Sequence, residues 1–355
     1  MIAAVLKKQG CIEIASVSDP IVAADECLIK VGHAAVCSSD IHRTFGGGAY
    51  FYPLIPGHEV SGEVLSWGNQ VKGFQKGDRV AIYPLIPCHQ CDSCKARAYQ
   101  VCEKYDYYGS RRAGGFAEYM NVKAWNLLRL PDAIPDGAAC LIESTSVVVH
   151  ALNIGLASSS TKANRVAVIG GGWLGQIAVR LLQSKLPSAA VTLFDRNASK
   201  LELAKAYAAT ELVPNDEAWT AISEKYQNFF SHVWDAAGTA LSMERSLVLT
   251  ARTGVLTWLG NLTEELNLDP KLVSQILRKE IQIRGSWNAT YDPSGPCDWR
   301  EAVEWLSNEG YPSLEPLLSD PITLQQLPKT LEILKDKKRL HPSKTQLKVV
   351  IRGSA

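Results

Sequence analysis

From Arg165 onward the chain alternates short, continuously apolar runs with helical stretches, and that alternation leaves few folds open. Arg165 to Ile169 reads as a buried strand and Trp173 to Leu186 as a helix; Ala189 to Phe194 and Ser199 to Ala208 repeat the pair. Later strands are expected at His232 to Trp234, Gly254 to Leu259 and Glu280 to Ile283. A strand that is apolar on every residue must be covered on both faces. A parallel sheet between two helical layers provides that cover. Gly170, Gly172 and Gly175 fall between the first such strand and its helix, in the pattern G-x-G-x-x-G. The first allows a tight turn, the second lets backbone approach a pyrophosphate, and the third lets the helix pack close to the strand. The helix start would meet the phosphates with free N–H groups and a partial positive charge. Asp195, 20 residues after Gly175, ends the second strand and can accept hydrogen bonds from an adenosine ribose while repelling a 2′-phosphate. NAD is therefore favoured over NADP, although Arg196 beside it weakens the preference. Trp173 and Leu174 complete the loop, and for the bulky Trp173 covering the helix start is favoured over packing on the cofactor.

The first 150 residues differ in character. They are rich in Gly, Pro and short β-prone runs such as Cys27 to His33, Glu59 to Leu65 and Asp78 to Tyr83, and read as a β-rich domain. Ala157 to Ala163, small and polar, reads as the surface connection to the sheet. Beyond about Pro293 two helical segments and a last strand near Gln346 to Ile351 follow. A length of 355 residues suits two domains. The formal net charge of +1 gives no reason to expect a nucleic-acid or anionic-membrane partner. The N-terminal stretch has no basic start followed by a long apolar run, so no leader is expected, and no segment is long and apolar enough to cross a bilayer.

Nine cysteines, four of them between positions 88 and 102, point to metal ligation in a reducing, cytoplasmic setting rather than to disulfides. Cys88, Cys91, Cys94 and Cys102 form C-x2-C-x2-C-x7-C, in which a tight loop presents successive thiolates to one tetrahedral ion. Four protein ligands make a closed, structural zinc site; an iron–sulfur cluster is the minor alternative. Three further segments each carry a potential ligand in a turn-rich context: Cys37-Ser-Ser-Asp-Ile-His42, Gly57-His58-Glu59 and Ile142-Glu143-Ser144. A catalytic zinc keeps three protein ligands and an open position.

Gly57-His58-Glu59 followed by Ser61-Gly-Glu-Val, together with the cysteine cluster, resembles the zinc-containing medium-chain alcohol and polyol dehydrogenase family over essentially the whole chain. The runs 105–119, 276–287 and 314–317 are most similar to a subgroup that acts on a phosphorylated sugar alcohol. The resemblance implies an α/β protein: a GroES-like β-rich catalytic domain over 1–155, with a structural-zinc lobe at about 85–105, and a doubly wound parallel-sheet Rossmann domain over 156–290. Residues 291–355 would return to the catalytic domain. It implies two zinc ions per chain, with Cys37, His58 and Glu143 on the catalytic one and Glu59 as alternate ligand or neighbour. Ser39 and His42 match the proton-relay positions. Ser38 stands where the family usually has Gly, and Ser144 where polyol members usually have Pro; neither removes a ligand.

The expected reaction moves a hydride from a secondary alcohol to NAD, the substrate being a small polyol or polyol phosphate. Arg111 and Arg112 are candidates for phosphate, since guanidinium binds it bidentately. Tyr50, Tyr108, Ser286 and Trp287 are candidates for the rest of the substrate site. A dehydrogenase of an unphosphorylated polyol or simple secondary alcohol is the nearest rival, and a non-catalytic zinc- and NAD-binding protein a remote one. The near-zero net charge argues against a zinc-ribbon nucleic-acid binder. Family likeness also implies a homodimer or homotetramer.

Overall fold

The computed structural model describes residues 1–157, 163–336 and 346–353. The stretch 158–162, most of the expected surface connection, lies outside the described residues. The chain forms two compact units, Met1–Ser144 with Thr290–Ala355, and Thr145–Ala289.

The first unit is antiparallel. Its strands are β1 (Ile2–Lys8), β2 (Cys11–Ser16), β3 (Glu26–Ala35), β4 (Glu59–Trp67), β5 (Arg79–Ile82), β6 (Leu85–Ile86), β7 (Asp106–Tyr107), β8 (Tyr119–Lys123) and β9 (Leu127–Arg129). β3, β4, β5 and β9 lie side by side, and β8 pairs with β3. Along β3, Cys27, Ile29 and Val31 alternate with less buried residues, the period expected when one face meets a core. They pack there with Val60, Val64, Val80, Ile82, Phe116 and Met120.

The second unit carries β10 (Arg165–Ile169), β11 (Ala190–Asp195), β12 (Ala209–Leu212), β13 (Phe230–Asp235), β14 (Thr250–Trp258) and β15 (Gln282–Gly285), all parallel, in the order β12-β11-β10-β13-β14-β15. The order reverses between β10 and β13, which in a doubly wound sheet places the ligand crevice beyond the carboxyl ends of those strands. The final strand of the chain, β16 (Val350–Arg352), belongs to the first unit, where it pairs antiparallel with β3 through Arg352 and His33. Among the described residues, no helix is long and apolar enough to cross a membrane.

Three elements depart most clearly from the sequence expectations, among them β12, which has no counterpart there. The helix expected over Ser199 to Ala208 is only Ala198–Glu202; beyond it the bonds loosen to turns, as the chain prepares to enter β12 at Ala209. The 16-residue helix Ile142–Ala157 has no expected counterpart. It is buried almost all round, so its apolar residues follow no 3.6-residue period.

His232 lies mid-sheet on β13, 1% exposed, its ring stacked on Trp234 at 5.7 Å. Burial pushes its imidazole down to about 4. The folded state therefore holds His232 neutral between about pH 6.5 and 4, whereas the unfolded chain takes up a proton there, so stability falls as pH falls through that window. His232→Asn is expected to remove on the order of 2 kcal/mol of the pH-dependent loss between pH 7 and 5, measured by urea unfolding at both values.

Candidate metal and dinucleotide sites

The short helix Ser38–Phe45 begins at Cys37, whose backbone is extended and whose amide donates to Asp40 Oδ2 at 3.0 Å. That capping box fixes the Cys37 thiol at the helix start. Asp40 is fully buried. Its Oδ1 accepts from Arg43 Nη1 at 3.0 Å and lies 3.3 Å from His58 Nδ1, an ionic contact rather than a well-aligned hydrogen bond. Burial works against a charged imidazole, but Asp40 and Cys37 outweigh it and hold His58 well above the usual range. Burial likewise disfavours the Asp40 carboxylate, and His58, Arg43 and the Cys37 amide together keep it below its ordinary value.

His58 follows Gly57, whose φ of +95° favours glycine, and where a Cβ would stand 2.5 Å from the Phe116 ring. Glu59, next along, is fully buried and forms an ion pair with the buried Lys348 ammonium. The ligand atoms of Cys37, His58 and Glu59 all lie within 4.8 Å of one another. Glu143 does not join that compact set, but it is buried close by, in a setting shaped by His58, Glu59, Lys348 and Asp40. Burial above all pushes its carboxyl up to about 7. A half-buried thiol converging with a buried imidazole and a buried carboxylate, one oxygen of Glu59 lacking a hydrogen-bond partner, suits a zinc ion. Neither Asp40 nor Lys348 is given a role by the sequence pattern. Asp40 lay within the motif, but nothing local singles out Lys348.

Ser39 is half-buried, and His42 stands exposed one helical turn further on. The glycine run after the helix leaves room for its ring. A Cβ at Gly46 would press on His42 Nδ1, and one at Gly48 would come within 2.7 Å of its Cδ2.

The four cysteines of the lobe also lie within 4.8 Å of one another. Sγ of Cys88 is 3.9 Å from that of Cys94, and Cys91 is 3.9 Å from Cys102. Four thiolates bound tetrahedrally at ~2.3 Å would stand about 3.8 Å apart, so the spacing fits zinc and excludes disulfides. The amides of Gln90 and Cys91 point at Cys88 Sγ and pull its thiol down to about 6, which favours the thiolate a metal needs.

The expected substrate residues separate. Tyr108 is 1% exposed in the core, its hydroxyl accepting from the Lys123 amide. Its neighbour Tyr107 faces the other way, its ring 6.0 Å from that of His58. Arg112 is engaged by Asp106 at 2.7 Å and Glu26 at 3.7 Å. Arg111 is exposed and lies over the rings of Tyr50 and Tyr105. Tyr50 is exposed. In the second unit Ser286 bonds through its amide to the Trp258 carbonyl, and Trp287 is exposed.

Gly170 has φ of +98°, Gly172 caps the helix Trp173–Lys185, and a Cβ on Gly175 would strike the Gly170 carbonyl. Trp173 and Leu174 form the first helical turn, both half-buried. Asp195 accepts from the amides of Gly171 and Asn197, each at 2.7 Å, which holds its carboxylate at the glycine loop; Arg196 is exposed beside it. The turn and helix start fit a dinucleotide pyrophosphate.

Residues 23–132 match the alcohol dehydrogenase GroES-like domain and residues 174–308 the zinc-binding dehydrogenase domain. The chain belongs to the zinc-binding alcohol and polyol dehydrogenase family, an oxidoreductase class, and combines a GroES-like domain with a Rossmann-type parallel sheet. It is 33% identical to galactitol 1-phosphate 5-dehydrogenase of Escherichia coli strain K12, over 87% of this chain and 89% of that protein. Sorbitol dehydrogenase of Bacillus subtilis strain 168 is 29% identical over 94% of this chain and 93% of its own. The crystal structure of galactitol-1-phosphate dehydrogenase from Escherichia coli superposes with a TM-score of 0.86 at 31% identity, covering 99% of this chain and 100% of that one.

Replacing Lys348 by Met leaves the buried Glu59 carboxyl group without its partner. A loss of about 3 kcal/mol of unfolding free energy is expected, read from denaturant midpoints. Cys91→Ser is expected to lower both zinc content and thermal midpoint; a variant normal in both would remove the metal from the lobe.

Proposed function

We propose that this protein is an NAD-linked dehydrogenase with two zinc ions per chain that oxidises a secondary hydroxyl of a phosphorylated sugar alcohol to a keto-sugar phosphate. The observation that carries the chemistry is the convergence of half-buried Cys37 with buried His58 and Glu59, with Glu143 buried beside them. Similarity to galactitol 1-phosphate 5-dehydrogenase supports the substrate class. Cys37, His58 and a carboxylate, Glu143 or Glu59, would hold the catalytic zinc. Asp40 against Nδ1 orients the imidazole and leaves Nε2 as the ligand atom. Zinc there supplies a Lewis acid that lowers the pKa of the substrate hydroxyl, and NAD supplies the hydride acceptor. Ser39 Oγ takes the hydroxyl proton as it passes its own outward, and the His42 imidazole carries that proton to solvent. Gly170, Gly172 and Gly175 cradle the pyrophosphate, and Asp195 accepts from the adenosine ribose. Cys88, Cys91, Cys94 and Cys102 hold the second, structural zinc. The reading includes a cytoplasmic homodimer or homotetramer.

A second reading, oxidation of an unphosphorylated polyol, is supported by the likeness to sorbitol dehydrogenase. NADH absorbance followed with NAD and galactitol 1-phosphate, then galactitol, sorbitol and simple secondary alcohols, separates the two. Turnover confined to the ester supports the first reading and turnover confined to free polyols the second. No turnover with any alcohol, at about two zinc ions per chain, overturns both. His42→Ala is expected to displace the pH–rate profile while zinc content stays normal; an unmoved profile would take His42 out of the relay.

A further inference from the structure

We propose that the segment from Tyr105 to Arg111 measures the substrate, with Tyr107 contacting its reacting end and the Arg111 guanidinium binding a terminal phosphate. This rests on the polyol-dehydrogenase reading above. The segment is tied to the metal-ligand motif by glycines. A Cβ on Gly109 would stand 2.5 Å from the Gly57 carbonyl, and one on Gly114 would clash with the same oxygen. Gly115 donates its amide to Gly57 at 2.9 Å. The segment therefore rides on the residue before His58.

From there a series of rings leads outward. Tyr107 lies 6.0 Å from His58, Tyr105 lies 6.2 Å from Tyr107, and the Arg111 guanidinium sits 4.3 Å over Tyr105 and 4.8 Å over Tyr50. Arg111 Nη1 donates to the Tyr105 carbonyl at 3.0 Å and Nη2 to Tyr50 Oη at 3.5 Å. Those bonds leave N–H groups to offer, and among the described residues no carboxylate lies within ion-pair distance of Arg111. A guanidinium held between two rings has already lost much of its rotamer freedom, so less remains to be lost when a phosphate binds. On the opposite face Asp106, Tyr108 and Arg112 anchor the segment: Arg112 pairs with Asp106 and Glu26, and Tyr108 is buried. One arginine holds the loop while its neighbour faces solvent.

The test measures kcat and KM for galactitol 1-phosphate and for galactitol in the wild-type holoenzyme and in R111Q, R111K, R112Q and Y107F. R111Q is expected to raise KM for the ester about tenfold or more and change kcat less. R111K should recover part of the loss, because a charge remains but the fork is gone. R112Q should lower the thermal midpoint instead of the preference for the ester. Y107F should lower kcat/KM for both substrates at normal zinc content. An ester-to-polyol preference that moves less than about twofold in R111Q overturns the assignment, as does an unchanged Y107F for Tyr107. If the wild type oxidises galactitol but not the ester, the phosphorylated-substrate reading falls on its own. Inorganic phosphate then probes Arg111 directly: inhibition of galactitol turnover that weakens in R111Q supports the anion site, and equal inhibition of both enzymes sinks it.

Discussion

A carboxylate with no solvent exposure is intolerable without a partner, and at Glu59 that partner comes from the far end of the chain. Lys348 is itself 4% exposed and pairs with Glu59. Two such charges are stable only together, since either alone would pay its full desolvation. The pair therefore binds the C-terminal segment to β4 beside His58. β16, which begins two residues after Lys348, continues the sheet against β3. Closure of the β-rich unit and assembly of the candidate metal site depend on the same contact.

Around that pair the site is built from backbone proximity more than from side-chain variety. Gly57, Gly109 and Gly114 touch through their backbones, so the loop carrying Tyr107 approaches the ligand motif as closely as peptides can. The glycines after His42 do the same for its ring. Asp40 serves three neighbours at once, receiving the Cys37 amide and Arg43 and facing His58. Helix start, thiol and imidazole are thus oriented by one carboxylate.

Much of the sheet unit was readable from residue pattern. The strand Arg165–Ile169 and the start of the helix at Trp173 coincide with their expected places, and the β11, β13, β14 and β15 expectations fall on observed strands with ends shifted by a few residues. The central strands β10 and β13 are buried on nearly every residue, a signal that survives without neighbours, whereas at β15 Ile281 and Ile283 carry the expectation. β12, Ala-Thr-Glu-Leu with two polar residues at its centre, carries too little apolar character to be seen, and the helix Ile142–Ala157 carries too much to show a period. In the site, the glycine loop and the cysteine lobe were legible because their ligands are close in sequence. Tyr107, not the expected Tyr108, faces His58, because alternation along an extended segment gives adjacent tyrosines opposite faces and local pattern does not say which face is inward.

Sequence alone thus determined the parallel sheet, the turn that can cradle a pyrophosphate, the four-thiol lobe and the residue types suited to a zinc. Each is a matter of local spacing or of burial on every residue. Tertiary structure decided what depends on long-range approach. It placed Glu59 rather than Glu143 in the compact donor set and supplied Lys348 from 289 positions away. It also turned Arg112 to its carboxylates while leaving Arg111 to solvent. Charge pairing and facing are properties of three-dimensional neighbours, and neighbours distant in sequence leave no mark on local spacing.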